Sequence, residues 1–199
     1  MKQLLIKGGR VTVDEFPEPV AGLSEVLVAN AFSAVSVGTE RAVILEARKG
    51  KIQRILEILR DEELRRKALQ HIKSHGLFKS YQVWNQITAS STTSIPLGYS
   101  SAGIVIQVGS NVVDLNVGDA VACAGVGYAN HAELVAVPRN LVAKVPEGVD
   151  LLEASFTTVG SIALHSLRLA NAQPGEYVAI IGVGLIGLIA VQLAKMFSI

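Results

Sequence analysis

The sequence of 199 residues contains a single cysteine, Cys123. One thiol forms no intramolecular disulfide, and it cannot supply the thiolate cluster of a four-cysteine structural zinc site. The chain also lacks a secretory signal pattern at its start, where residues 1–8 hold only three consecutive apolar side chains. Both absences favour a reducing, cytoplasmic location.

The chain has no excess of charge of one sign, since its formal net charge is +1. Such a balance argues against nucleic acid as a general electrostatic partner. The stretch from Arg41 to Lys79 is the exception, with eleven basic and five acidic residues. Apolar side chains recur there at helical spacing, which predicts a helical insertion at about residues 41–80. Its basic face is interpreted either as a solvated surface or as a lid or docking surface for an acidic or large substrate.

Long hydrophobic runs are scarce. One uncharged run, residues 177–194, reaches 18 residues, which is the lower limit for a membrane-spanning helix. Glycines and Gln192 interrupt it, and the turn residues Pro174-Gly175 precede it. A buried strand followed by a glycine turn and a helix is therefore the preferred interpretation, and no membrane partner is expected.

What the chain does contain is a series of short strand-like segments separated by turn residues. Short strands with glycine turns at such spacing predict a partly open β-barrel. A helical connection at residues 151–171 and one further strand at residues 177–181 are predicted to follow. The predicted barrel strands are residues 4–7, 10–15, 25–30, 102–108, 120–123, 131–137 and 141–145.

A glycine turn follows the last predicted strand. In a Gly-x-Gly-x-x-Gly turn, the first glycine permits a tight turn, the second lets a pyrophosphate approach the backbone, and the third lets helix and strand pack closely. The alternative is that the glycines serve packing alone. The residue that selects NAD or NADP is expected about 20 positions further on, past Ile199, so the choice stays open. The candidate cofactor-binding residues are Gly182, Val183, Gly184, Leu185, Ile186 and Gly187.

Five segments in order resemble the medium-chain dehydrogenase/reductase family, whose members place a GroES-like catalytic barrel ahead of a Rossmann domain. The segments are residues 96–105 with Val108-Gly109, then 117–121, 128–133, 141–146 and the glycine turn. The resemblance implies an α/β fold class with a β-rich front. Residues 1–150 would form the GroES-like partly open β-barrel with its helical insertion, and residues 151–199 the first βα unit of a truncated Rossmann domain. It also implies NAD(P)-linked hydride transfer on a small alcohol or carbonyl substrate.

The turns that carry zinc ligands in zinc-dependent members of that family have other residues here. The Cys-Gly-x-Asp turn is replaced by Val37-Gly38-Thr39-Glu40, and the Gly-His-Glu turn by Gly98-Tyr99-Ser100. Residues 156–161 add no carboxylate, thiol or imidazole. Catalytic zinc needs three protein ligands, so no metal is expected. The insertion, Tyr99 and residues 122–131 resemble a zinc-less branch that includes bacteriochlorophyllide dehydrogenase-like proteins and two-part enzymes fused to a Gfo/Idh/MocA-type oxidoreductase.

The resemblance also supplies candidate catalytic residues: Thr39, Tyr99 and Glu40. Thr39 stands where the resembling enzymes keep a hydroxyl that relays the alcohol proton. Tyr99 is interpreted either as a hydrogen-bond donor to the substrate carbonyl or as a packing residue of the cleft. Glu40 either lines the cleft together with Ser100 or accepts hydrogen bonds within its loop.

Thr158 and Ser161 complete the set of candidates, whereas His131 and Cys123 are interpreted as structural residues. Thr158 and Ser161 are expected to contact nicotinamide or ribose by position. His131 is interpreted as a structural histidine at the start of a strand, and Cys123 as a small core residue rather than a reactive thiolate.

Several functions stay open on the sequence. The first is a zinc-independent NAD(P)-dependent oxidoreductase, and the second is an NADPH quinone or enoyl reductase of the same fold. The third is a chain without turnover, since one strand makes no parallel sheet, with residues 177–199 disordered or packed on a partner chain. A basic docking module at residues 41–80 is the least favoured. A homo-oligomer and a fused or adjacent second oxidoreductase domain are the partners left open.

Overall fold

The computed structural model describes residues 1–48, 60–63, 66 and 94–198. It divides into two compact units: unit 1 comprises Met1–Gln3, Asp14–Ser36 and Leu97–Ile199, and unit 2 comprises Leu4–Val13 and Val37–Pro96. The domain boundary at residue 150 stays a prediction. The strands are β1 (Lys2–Lys7), β2 (Arg10–Glu15), β3 (Glu25–Ser33), β4 (Ile95–Pro96), β5 (Ser100–Val108), β6 (Ala120–Ala124), β7 (Leu134–Pro138) and β8 (Val142–Lys144). The helices are α1 (Val37–Arg48), α2 (Leu151–Ala154), α3 (Thr157–Ala170) and α4 (Leu185–Met196).

Unit 1 is built on a five-stranded antiparallel sheet in the order β7-β3-β5-β6-β8. Side chains alternate between its two faces, as the pleat of a strand requires. Val121 and Cys123 of β6 join the main apolar cluster, whereas Ala122 between them packs with Ala154 of α2. Register shifts in β3 opposite β5 mark the irregularities that bend such a sheet. The predicted partly open GroES-like barrel is confirmed.

Three helices follow the sheet in unit 1. The Asp150 carboxylate caps α2 by accepting a hydrogen bond from the Leu152 amide at 2.9 Å. Helix α3 buries a stripe of Val159, Ala163 and Leu167 and ends at Asn171 in the left-handed conformation, with φ of 52°. It packs against α4. The predicted helical connection is therefore two helices separated at residues 155–156.

The predicted strand at residues 177–181 is wrong. The chain there is extended but joins no ladder with any residue that the structure describes, and Tyr177 and Ile181 are fully exposed. A strand needs the backbone groups of a neighbour, and no parallel neighbour stands beside it in residues 94–198. Helix α4 forms nonetheless, because a helix satisfies its hydrogen bonds internally.

Unit 2 holds a short sheet and the first helix. Strand β1 pairs with β4 at Leu5 opposite Pro96 and Ile6 opposite Ile95, within the sheet order β2-β1-β4. The Arg48 guanidinium at the end of α1 donates through Nε to the carbonyl of Gly9 at 2.9 Å. Helix α1 begins four residues before the predicted insertion, most of which lies outside the described residues. No helix in the described ranges is long and apolar enough to cross a membrane.

Candidate functional site

The three glycines of the turn before α4 meet three different requirements. Gly182 has φ of +98°, a backbone conformation that is strained for any residue with a side chain. At Gly184 an added Cβ would meet nothing within 4 Å, so this backbone is open to an approaching group. At Gly187 an added Cβ would lie 1.9 Å from the Gly182 carbonyl oxygen, which only glycine avoids. Turn, open backbone and close helix packing are the three roles that a dinucleotide-binding turn needs.

The start of α4 is free of any competing side-chain cap. Gly184 is the N-cap residue without a side-chain hydrogen bond, and the first turn carries no acidic residue. The Leu188 amide makes the first intrahelical bond, to the Gly184 carbonyl at 2.9 Å. The amides of Leu185, Ile186 and Gly187 precede it at the positive end of the helix dipole. This end of the helix fits the pyrophosphate of a dinucleotide.

Tyr99 lies in a segment whose backbone is fixed on both sides. The His131 amide donates to the Leu97 carbonyl at 2.8 Å, and the Gly125 amide donates to the Tyr99 carbonyl at 3.0 Å. Gly98 between them has φ of +94°. Tyr99 itself is half-buried. The structure therefore fixes the backbone that carries the Tyr99 phenol, while its catalytic role stays a prediction.

His131 is more firmly placed than the sequence indicated. Its Nδ1 lies 2.8 Å from the Ser33 hydroxyl oxygen. The Asn30 side-chain amide donates to the Asn130 carbonyl at 3.2 Å and to the Ala132 carbonyl at 2.8 Å, the carbonyls of the residues before and after His131. Because β7 begins only at Leu134, the histidine lies in the preceding loop and not at a strand start. Sequence reasoning missed this pairing, since Ser33 and His131 are 98 positions apart.

Two buried side-chain oxygens belong to residues close to His131. Asn130 directly precedes it, and Asn30 bonds to the carbonyls of its two neighbours. Asn30 Oδ1 and Asn130 Oδ1 have no hydrogen-bond partner. A buried polar atom left without a partner costs about 1–3 kcal/mol, and such atoms in native proteins call for a functional or solvent explanation. Two buried side-chain oxygens without a hydrogen-bond partner thus belong to residues that surround His131 in sequence or bond to its neighbours.

The hydroxyl groups near the start of α3 make structural bonds. Ser100 is buried and donates to the Ser155 carbonyl at 2.6 Å, so the expectation that it lines a cleft is wrong. Thr158 donates to the Cys123 carbonyl at a long 3.4 Å, and Ser161 donates to the Thr158 carbonyl at 2.7 Å within α3. Their proposed contacts with nicotinamide or ribose stay a prediction.

Thr39 and Glu40 belong to unit 2, where they lie in the first turn of α1 and not in the turn that the sequence indicated. Thr39 is exposed. Glu40 is 7% exposed and is the buried residue of α1. A carboxylate in the first turn stabilises a helix through its dipole, which gives Glu40 a structural role in addition to the catalytic one that stays predicted.

Cys123 is confirmed as a small core residue. It is buried in the main apolar cluster of unit 1. Burial raises the pKa of its thiol to about 12, against which a hydrogen bond with Ser101 acts weakly in the opposite direction. The thiol is therefore protonated at neutral pH and unsuited to nucleophilic or metal-binding roles. Within residues 1–48, 60–63, 66 and 94–198, no group of three or more His, Cys, Asp or Glu stands together in a way that could hold a metal ion.

The comparisons with known proteins agree with this geometry. Residues 70–147 match the family model of the alcohol dehydrogenase GroES-like domain. The chain superposes on galactitol-1-phosphate dehydrogenase from Escherichia coli with a TM-score of 0.69 and 23% identity, over 99% of this chain and 53% of that one. The chain has the GroES-like fold of these dehydrogenases. This chain thus covers about half the length of that solved structure.

Two curated relatives are similar in sequence. Probable D-xylulose reductase A from Emericella nidulans is 31% identical over 129 residues, which covers 51% of this chain and 36% of the relative. D-guloside 3-dehydrogenase from Escherichia coli is 37% identical over 102 residues, which covers 50% of this chain and 28% of the relative. The similarity thus spans about a third of each curated relative.

Proposed function

We propose that the protein is a medium-chain dehydrogenase/reductase of the zinc-less branch. Its proposed activity is NAD(P)-dependent hydride transfer on an alcohol or carbonyl substrate. The observation that carries the proposal is the glycine turn at the start of α4, which has no side-chain cap. Gly182 has a positive φ, Gly184 leaves the backbone open, and Gly187 allows close packing. The names of the similar proteins, dehydrogenases and reductases of sugars and polyols, favour a small hydroxylated substrate.

In this proposal the residues of the chain bind and orient the reactants. The amides of Leu185, Ile186 and Gly187 would hold the pyrophosphate, and the bound nicotinamide would supply the hydride acceptor or donor. The protein must then stabilise the charge that develops on the substrate oxygen without a metal. Tyr99, half-buried on its fixed backbone, is the candidate donor, and Thr39 is the candidate relay.

A second candidate is that the 199-residue chain does not turn over by itself. Residues 177–183 are mostly exposed and pair with no residue that the structure describes, which favours this candidate, because a dinucleotide-binding sheet would be built on a strand at this position. An NADPH quinone or enoyl reductase differs from the first proposal in substrate alone. Both proposals assign residues 151–199 to the start of a Rossmann domain.

Titration with NADH and NADPH, followed by cofactor fluorescence, tests the proposal. The Gly184→Val variant places a side chain in the open space at the turn, and it should weaken binding at least tenfold without loss of fold. Gly160→Val is the matched control, since Gly160 in α3 also meets nothing within 4 Å. Absence of binding by the unmodified chain supports the second candidate, while equal binding by the Gly184 variant moves the cofactor away from this turn.

Elemental analysis of the purified chain tests zinc independence. We expect no zinc above background, because the turns at residues 37–40 and 98–100 offer no thiol or imidazole and Glu40 alone supplies a carboxylate. One stoichiometric zinc per chain would overturn this part of the proposal.

A further inference from the structure

We draw no further inference here: the strongest candidate, the exposed apolar surface of residues 177–183 that precedes helix α4, carries none because nothing in the residues that the structure describes shows what covers it.

Discussion

Strand β3 and residues 177–183 are similarly apolar, yet only one of them is a strand. In β3, Val26 and Val28 are completely buried between β5 and β7. In the second segment, Tyr177 and Ile181 are completely exposed. The difference lies in the neighbours: β3 has a ladder on both sides, and the later segment pairs with no described residue. Strand formation here is set by available partners more than by the residues of the strand itself.

Helix α4 shows the other side of this comparison. It directly follows the unpaired segment, and it is complete from Leu185 to Met196 because its hydrogen bonds are internal. Ala190 and Ala194 are buried in unit 1, while Leu188 and Val191 stay about half exposed. The same stretch of sequence therefore holds one element that forms alone and one that depends on a partner.

A buried charge tests the comparison most strongly. Val28→Asp places a carboxylate among the valines of the sheet core, and we expect a loss of more than about 4 kcal/mol in the free energy of unfolding. Ile181→Asp is the matched change in the exposed segment, with an expected effect within about 0.5 kcal/mol. Urea unfolding followed by circular dichroism measures both. Similar losses from the two changes would show that residues 177–183 are buried in solution.

The helical glycines give the next largest effect. Gly187→Ala should destabilise the start of α4 by about 1–3 kcal/mol, since the new Cβ overlaps the Gly182 carbonyl. Gly160→Ala in α3 should instead gain about 0.5–1 kcal/mol, because alanine favours helix and the space is open. Hydrogen exchange of the amides of each helix separates the two cases. Faster exchange in α3 of the second variant, or slower exchange in α4 of the first, would contradict the packing described for these glycines.

The ion pair between Asp114 and Arg139 should give the smallest effect. A hydrogen bond from Arg139, through Nε to Oδ1 at 2.7 Å, lowers the pKa of the Asp114 carboxyl. A lowered pKa in the folded chain stabilises the fold above the unfolded value of about 3.9, and this stabilisation is lost as the pH falls through the folded value. The difference in unfolding free energy between the unmodified chain and Asp114→Asn should therefore shrink below a pH of about 4. The side chains of Asp114 and Arg139 are 54% and 33% exposed, so solvent screens the pair, and a difference comparable to that of Gly187→Ala would contradict this account.

Much of the fold could be predicted because local pattern and tertiary pairing agree. Strand β2 occupies residues 10–15, as its alternation indicated, and β6 and β8 lie within one or two residues of their predicted bounds. The failure at residues 177–181 has the opposite cause, since an apolar β-branched run does not show whether a neighbouring strand is present. Helix α1 was placed too late because its first turn, Val37 to Glu40, was matched to a turn of the resembling family.

The candidate site divides in the same way. The glycine turn could be predicted because all its requirements lie within six consecutive residues. The polar contacts of His131 could not, since Asn30 and Ser33 come from β3, about 100 positions earlier. Ser100 was misplaced for a related reason: a hydroxyl next to a candidate tyrosine gives no sign that it is bonded to the Ser155 carbonyl.

The two hydrogen bonds of Asn30 also have an evolutionary consequence. They hold the end of the loop at residues 125–132, and the Gly125 amide holds its beginning to the Tyr99 carbonyl. Val126 and Tyr128 project from this anchored loop into solvent, with 79% and 42% of their surfaces exposed. Their side chains can therefore be exchanged with little disturbance of the backbone beneath.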